Sequence, residues 1–186
     1  SMNRSSCIAL LVVAGLGVSG MLNVIAAGQS VDQLVADADK SIAAATAAVE
    51  EARAAIEKGK QVLATIPDDS PAMEEITEML KSIKENWVLA LSSLDGAKSS
   101  ASKIPSASSP EIAQDYKLLT TVNAGVALSG AKVVQIGLLY VDAVANNKAE
   151  ALDVINAAMQ DSMESAAQVQ LNYERVKKFI AEKYSK

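Results

Sequence analysis

The chain has 186 residues, of which 50% are hydrophobic and only 3% aromatic, and its formal net charge is −5. It contains no histidine, which excludes Ser-His-Asp and Cys-His catalysis, HExxH zinc sites and histidine-ligated haem. The negative charge and the scarcity of aromatic rings also argue against nucleic acid as a partner, because phosphates attract cations and bases stack on rings.

The first 28 residues differ in character from the rest of the chain. Ser1 is set aside as an addition in front of the native start. Arg4 is followed by an uncharged, mostly apolar run over residues 7–27, which ends in small residues. This order is typical of a secretory signal peptide, so we predict cleavage near Gln29 and export to the periplasm or out of the cell. Because the run is long enough to cross a bilayer, the alternative is a protein anchored in the membrane through residues 7–27.

Residues 29–186 carry apolar side chains at alternating intervals of three and four residues. In the first segment one set recurs every seven residues, at Val35, Ile42, Val49, Ile56 and Leu63, and smaller residues such as Ala38 and Ala45 lie between its members. Such heptads are typical of helices that pack along a seam, as in a coiled coil, and they predict helices over about 31–66, 71–102, 110–145 and 148–184. Short connections favour antiparallel neighbours. The predicted domain is therefore an all-α, up-down-up-down antiparallel four-helix bundle over residues 29–186.

Residues that favour helix starts precede each predicted helix. Serine and asparagine side chains accept hydrogen bonds from the N–H groups of the first turn, and proline suits the first helical position. A glutamate or glutamine three residues after the cap can complete a capping box. The predicted starts are, in chain order, Ser30 with Gln33, Ser70 before Pro71, Ser109 before Pro110, and Asn147 with Glu150.

The third predicted helix is more apolar than one seam requires. Between residues 118 and 145 its charged residues are Lys132 and Asp142. The pattern favours a helix that is buried on two or more sides or covered in a dimer, while a partner-binding face and a membrane-inserting hairpin are the alternatives. The charge of Lys132, in the middle of this segment, opposes the interpretation as a simple transmembrane helix. The candidate partner or membrane face consists of the apolar residues off the seam, namely Leu118, Leu128, Val134, Leu138, Leu139 and Val141.

No cluster of acids, bases or thiols can be assembled from the seams, so we predict no enzyme, no cofactor and no metal site. The adjacent Glu50 and Glu51 lie outside the seams, on a mixed-charge helix face that suits water. The favoured function is an exported, non-enzymatic binding or structural protein of the cell envelope, which presents an apolar helix face to a protein partner or to itself. The alternatives are a membrane-active or membrane-anchored protein, and a carrier whose small apolar ligand occupies a cavity near Gly130 and Gly137.

Overall fold

The computed structural model describes residues 28–185, and within this range all regular structure is helical. The helices are α1 (Val31–Leu63), α2 (Met73–Ser102), α3 (Pro110–Ala145) and α4 (Ala149–Tyr184). Since these helices pack against one another, the predicted all-α fold is confirmed. The predicted signal or anchor segment, residues 1–28, lies outside the described residues apart from Gly28.

Helices α1 and α3 begin with the predicted caps. At α1, the Ser30 hydroxyl accepts a hydrogen bond from the Gln33 N–H at 3.2 Å, and the Gln33 side chain accepts one from the Ser30 N–H at 3.1 Å. At α3, the Ser109 hydroxyl accepts from the Ile112 N–H at 3.2 Å, and Pro110 is the first helical residue. Both starts satisfy backbone donors that a helix leaves unpaired in its first turn.

The connection between α1 and α2 is longer than the sequence predicts. Helix α1 ends at Leu63 rather than near residue 66, because the N–H groups of residues 65 and 66 donate to carbonyls three residues back in a tighter turn. Helix α2 begins at Met73 with Ala72 as its N-cap, so the predicted start at Ser70 and Pro71 is wrong. Residues 70–72 instead form a turn in which the Ser70 hydroxyl accepts from the Ala72 N–H at 3.3 Å. Both differences fall in terminal turns, where local geometry rather than the heptad decides the boundary.

The turn between α3 and α4 corrects the predicted start of the last helix. Lys148, not Asn147, is the N-cap of α4. Asn147 has a φ of 52° and ends α3 in a Schellman motif, in which the Lys148 N–H donates to the Ala143 carbonyl at 2.9 Å and the Asn147 N–H donates to the Val144 carbonyl at 3.4 Å. Asparagine suits this position because its short polar side chain tolerates the left-handed conformation. The residue therefore closes one helix instead of opening the next.

Helix α3 lies at the centre of the fold. It contacts each of the other three helices, whereas α1 and α2 contact each other only slightly and α4 contacts α3 alone among the described helices. Twenty of the 36 residues of α3 are buried, compared with four of 36 in α4. The apolar surplus in the sequence of α3 therefore serves contacts with three neighbours.

The helix directions follow from the residues that meet. Along α1, rising residue numbers meet rising numbers of α3, so these two helices run in the same direction. Along α2 and α4, rising numbers meet falling numbers of α3, so both run antiparallel to it. For α1 the direction follows from Leu34 and Ala113, which belong to one buried cluster, and from the contact of Gly59 with Leu138. The defining contacts are Ile83 with Gly137 and Gly96 with Asn123 for α2, and Val169 with Gly125 and Lys183 with Asp115 for α4.

Candidate functional site: the surfaces of helix α3

The structure places the six residues of the predicted face on different sides of α3. Three of them are buried in the main core with residues of α1 and α2, namely Val134, Leu138 and Val141. The half-buried Leu128 packs against the same core, and Leu118 is buried in a separate cluster with Val176 of α4. Leu139 is 39% exposed. The six residues thus do not form one exposed face, and Leu139 is the member most accessible to a partner.

Two glycines let α2 and α3 approach closely. A Cβ atom added at Gly130 would lie 3.0 Å from the carbonyl oxygen of Asn86, and one added at Gly137 would lie 2.6 Å from Cγ1 of Ile83. These positions explain why a buried helix keeps residues that weaken helices. The space near both glycines, where the carrier hypothesis places a ligand, is filled by α2.

An open groove of about 630 Å³ lies between the C-terminal halves of α1 and α3, and we call it the α1–α3 groove. Leu138 packs so closely on Gly59 that a Cβ atom added there would lie 2.6 Å from Cδ2 of the leucine. Lys58, Gln135 and Asp142 contribute polar groups to its lining. The apolar lining consists of Ala55, Gly59, Val62, Leu138 and Leu139. Two residues of the predicted face therefore belong to this groove.

Polar side chains of α3 also face α1. The Gln135 side chain donates a hydrogen bond to the Ala48 carbonyl at 3.3 Å. Burial lowers the pKa of the Lys132 ammonium below its ordinary value, and the Glu51 carboxylate of α1 opposes part of that effect. Within residues 28–185, α3 is the one helix long and apolar enough to cross a membrane, but 72% of its most apolar stretch is buried inside the protein. A core helix meets the same test of length and composition.

A charged cluster joins the start of α3 to the end of α4. The Lys183 ammonium lies 2.6 Å from Oε1 of Glu111 and 2.9 Å from Oδ2 of Asp115, and the Tyr184 hydroxyl donates to the same Asp115 oxygen. Asp115 is only 9% exposed, so its carboxylate depends on these donors. Hydrogen bonds to Glu111 and Asp115 raise the pKa of Lys183, and the bond to Asp115 raises the pKa of Tyr184.

This cluster leaves no local pattern in the sequence. Lys183 and Asp115 are 68 positions apart, and a basic helix end is already explained by its favourable interaction with the helix dipole. The available signal is Asp115 itself, a carboxylate between Ile112 and Leu119 on the heptad of α3. A pocket of about 200 Å³ adjoins the cluster, with Leu119 and Ile180 in its lining.

Other large apolar side chains are exposed on α4 and α2. Phe179 is the most exposed of those on α4, at 57%. Apart from Tyr184, those on α4 follow one another at intervals of nine, eight and eight residues, which spreads them over about half of the helix circumference instead of along one stripe. The residues are Val154, Met163, Leu171 and Phe179 on α4, and Val88 and Leu89 on α2.

A metal site needs several ligating side chains close together, and the described part of the chain does not bring such a group together. Among residues 28–185, no group of three or more Asp, Glu or Cys side chains is placed to hold a metal ion. The chain matches no protein-family model, no curated protein and no solved structure. Its function is therefore inferred from its own surfaces, of which the α1–α3 groove and the contact between α3 and α4 are the best defined.

Proposed function

We propose that the protein is an exported, non-enzymatic helical bundle that serves as a binding or structural component of the cell envelope. In this proposal the four helices form an up-down-up-down antiparallel bundle, and α3 supplies the contact face. The directions of α1, α2 and α4 relative to α3 support the arrangement. The lack of histidine and the mixed-charge helix faces support binding rather than catalysis.

The exposure of Leu139 carries this proposal. Leu139 is 39% exposed on a helix whose residues are otherwise mostly buried, and it lines the α1–α3 groove beside Leu138. An apolar floor with a polar rim is typical of a surface that binds an amphipathic helix. The chemistry of this surface therefore fits a helix of a protein partner or of a second copy of the chain.

Substitution of Leu139 tests the contact surface. Leu139→Asp places a charge in the apolar lining and is expected to weaken assembly, measured by sedimentation velocity over a range of protein concentrations. Val88→Asp on α2 is the matched control, because Val88 is even more exposed, at 59%, and lies away from the groove. Equal effects of the two substitutions would contradict the proposed surface.

The fate of the N-terminal segment tests export. We would express the chain with its own leader in a bacterial host, separate the cell fractions and measure the intact mass of the product. A product that begins near Gln29 in the periplasm or the medium supports export. A full-length product in the membrane fraction favours the anchored alternative through residues 7–27.

A second candidate is a membrane-active protein in which α3 inserts into a bilayer. The length and composition of α3 favour it, whereas the burial of its apolar stretch and the charge of Lys132 oppose it. Flotation of residues 29–186 with liposomes separates the candidates. A binding protein stays at the bottom of the gradient, while a membrane-active protein rises with the lipid.

A further inference from the structure

Helix α4 is held in the fold by one neighbour. Within residues 28–185 it contacts α3 and neither α1 nor α2. Its four buried residues, Met159, Ser162, Val169 and Val176, lie along a single face. Everything that holds α4 in place is therefore one surface of α3, which we call the α4 seat.

The α4 seat is defined by the α3 residues that meet α4. Leu118 and Val122 cluster with Val176 of α4, and Gly125 faces Val169, whose Cγ1 would be in ordinary contact, at 3.4 Å, with a Cβ added at the glycine. The seat ends at Asp115 and Glu111, which bind Lys183. Specific apolar and ionic partners, from Gly125 to Glu111 of α3, therefore fix the far end of α4.

The connection between α3 and α4 is short and conformationally demanding. Asn147 is the one residue other than glycine with a positive φ in the described part of the chain. Asp142 organises the turn by accepting hydrogen bonds from the Asn146 amide at 2.7 Å and from the Lys148 ammonium at 2.8 Å. The left-handed conformation is unfavourable for a residue with a side chain, so the closed turn carries a local penalty that an extended connection does not.

We propose that two copies of the chain exchange α4, so that the α4 seat of each copy binds the α4 helix of the other. The exchanged helix fits the α4 seat because it is identical to the helix that fills this seat in the single chain. Reciprocal exchange of an identical element keeps the apolar cluster, the Gly125 contact and the Lys183 ion pairs, and changes only the turn. Since α4 contacts neither α1 nor α2 within residues 28–185, its removal breaks no further helix contact.

The exchange is independent of the α1–α3 groove and depends on protein concentration. In a single chain the short turn holds α4 at a high effective concentration, which favours the closed monomer in dilute solution. At higher protein concentration, or when several chains fold together, the α4 helix of a second chain competes for the seat. The exchanged dimer is therefore expected to form on concentrated refolding and to persist on dilution, because separation requires α4 to leave its seat.

Variants of Asn147 test the role of the turn. Asn147→Gly removes the penalty of the left-handed conformation and favours the closed monomer, whereas Asn147→Ala increases the penalty and favours the exchanged dimer. Because a dimer contains two turns, we expect its association constant to differ by about tenfold or more between the two variants. Light scattering coupled to size-exclusion chromatography measures the dimer fraction after refolding of the full chain. A dimer fraction that is the same in both variants, or absent from Asn147→Ala at high concentration, would overturn the proposal.

Isotope mixing identifies which chain supplies α4. Full-length ¹⁴N and ¹⁵N proteins are refolded together under reducing conditions, which keep Cys7 as a thiol, and the dimer is treated with a carbodiimide that joins Lys183 to Glu111 or Asp115. Random pairing predicts that about half of these crosslinked peptide pairs in the dimer contain both isotopes. Pairs of one isotope only would show that α4 stays with its own chain, and would overturn the proposal.

The same experiment separates this proposal from the proposed function. Leu139→Asp alters the α1–α3 groove and leaves the α4 seat and the turn unchanged. It is expected to leave the mixed-isotope fraction at about half. If the dimer of the unsubstituted chain gave pairs of one isotope only, and if that dimer were lost in Leu139→Asp but not in Val88→Asp, dimers would form through the groove and exchange through the seat would be overturned.

Discussion

Helices α3 and α4 have equal lengths but opposite environments. Each has 36 residues and keeps a heptad, yet 20 residues are buried in α3 and four in α4. The heptad indicates which residues face a neighbour, but it does not indicate how many neighbours there are. The residues off the seam distinguish the two helices, because α3 carries small and apolar residues on several sides whereas α4 carries charges there.

The largest expected loss of stability follows from shortening a side chain that packs on α3. Ile83 of α2 is 6% exposed and lies against Gly137, so Ile83→Ala should leave a cavity in the main core. We expect the free energy of unfolding to fall by about 2–5 kcal/mol, measured by urea denaturation. The matched control is Ile155→Ala in α4, where the isoleucine is only half-buried and the loss should be clearly smaller. Equal losses would contradict the contrast between the two helices.

A pair of glycine substitutions sharpens the same contrast within α3. A Cβ at Gly137 would lie 2.6 Å from Ile83 of α2, whereas a Cβ at Gly125 would lie 3.4 Å from Val169 of α4. Gly137→Ala should lower the free energy of unfolding by about 1–3 kcal/mol through overpacking. Gly125→Ala should be neutral or raise it by up to about 1 kcal/mol through helix propensity. Thermal unfolding of the two variants compares them, and a Gly137→Ala protein as stable as Gly125→Ala would refute the close approach of α2.

The interaction of Ile83 with Gly137 can be measured directly. In an Ile83→Ala background the atom that opposes a new methyl group is gone, so Gly137→Ala should no longer destabilise the protein. A double-mutant cycle from the same unfolding curves should therefore give a coupling free energy of roughly 0.5–3 kcal/mol. Additive single effects would show that the two residues do not meet.

The smallest effect concerns the charged cluster at the end of α4. The folded-state pKa values of Tyr184 and Lys183 are both raised above the ordinary values of 10.0 and 10.5. Their contribution to stability is therefore complete below the ordinary values and is lost as pH rises through the raised ones. We expect the absorbance titration of the protein minus that of Tyr184→Phe to have its midpoint above pH 10, with Asp115→Asn moving it down.

The control for the titration is a distant carboxylate. Glu50→Gln on α1 removes a similar charge at an exposed position and should leave the midpoint of the Tyr184 titration unchanged. The energetic effect is small because ion pairs near the surface are weakened by water and salt. A midpoint that does not respond to Asp115→Asn would mean that the hydrogen bond between Tyr184 and Asp115 does not form in solution.

The helices could be predicted from the sequence because their signals are local. The heptads and the caps at Ser30 and Ser109 depend on residues within a few turns of each other, and the structure confirms both caps. The capping-box interpretation of Asn147 was wrong, because asparagine also suits the left-handed residue that ends a helix. A choice between these two roles depends on the turn geometry, which the local pattern does not specify.

The candidate site was less accessible to sequence reasoning. Periodicity showed that Val134 and Leu139 lie off the seam of α3, but it did not show that α1 and α2 cover one and leave the other exposed. The ion pair between Asp115 and Lys183 is equally absent from any local pattern. Contacts between distant residues are decided by how the helices are arranged, and that arrangement follows from the packing of all four helices together.

The peripheral position of α4 has a consequence for the order in which the protein is made. Synthesis proceeds from the N-terminus at about 5–20 residues per second, so the 36 residues of α4 require about 2–7 s after α3 is complete. Until α4 is made, Asp115 lacks the ammonium of Lys183, which lies 2.9 Å from its carboxylate in the folded protein. A chain that has been made only as far as α3 therefore carries this carboxylate without its cation, and the arrival of the last helix supplies the opposite charge.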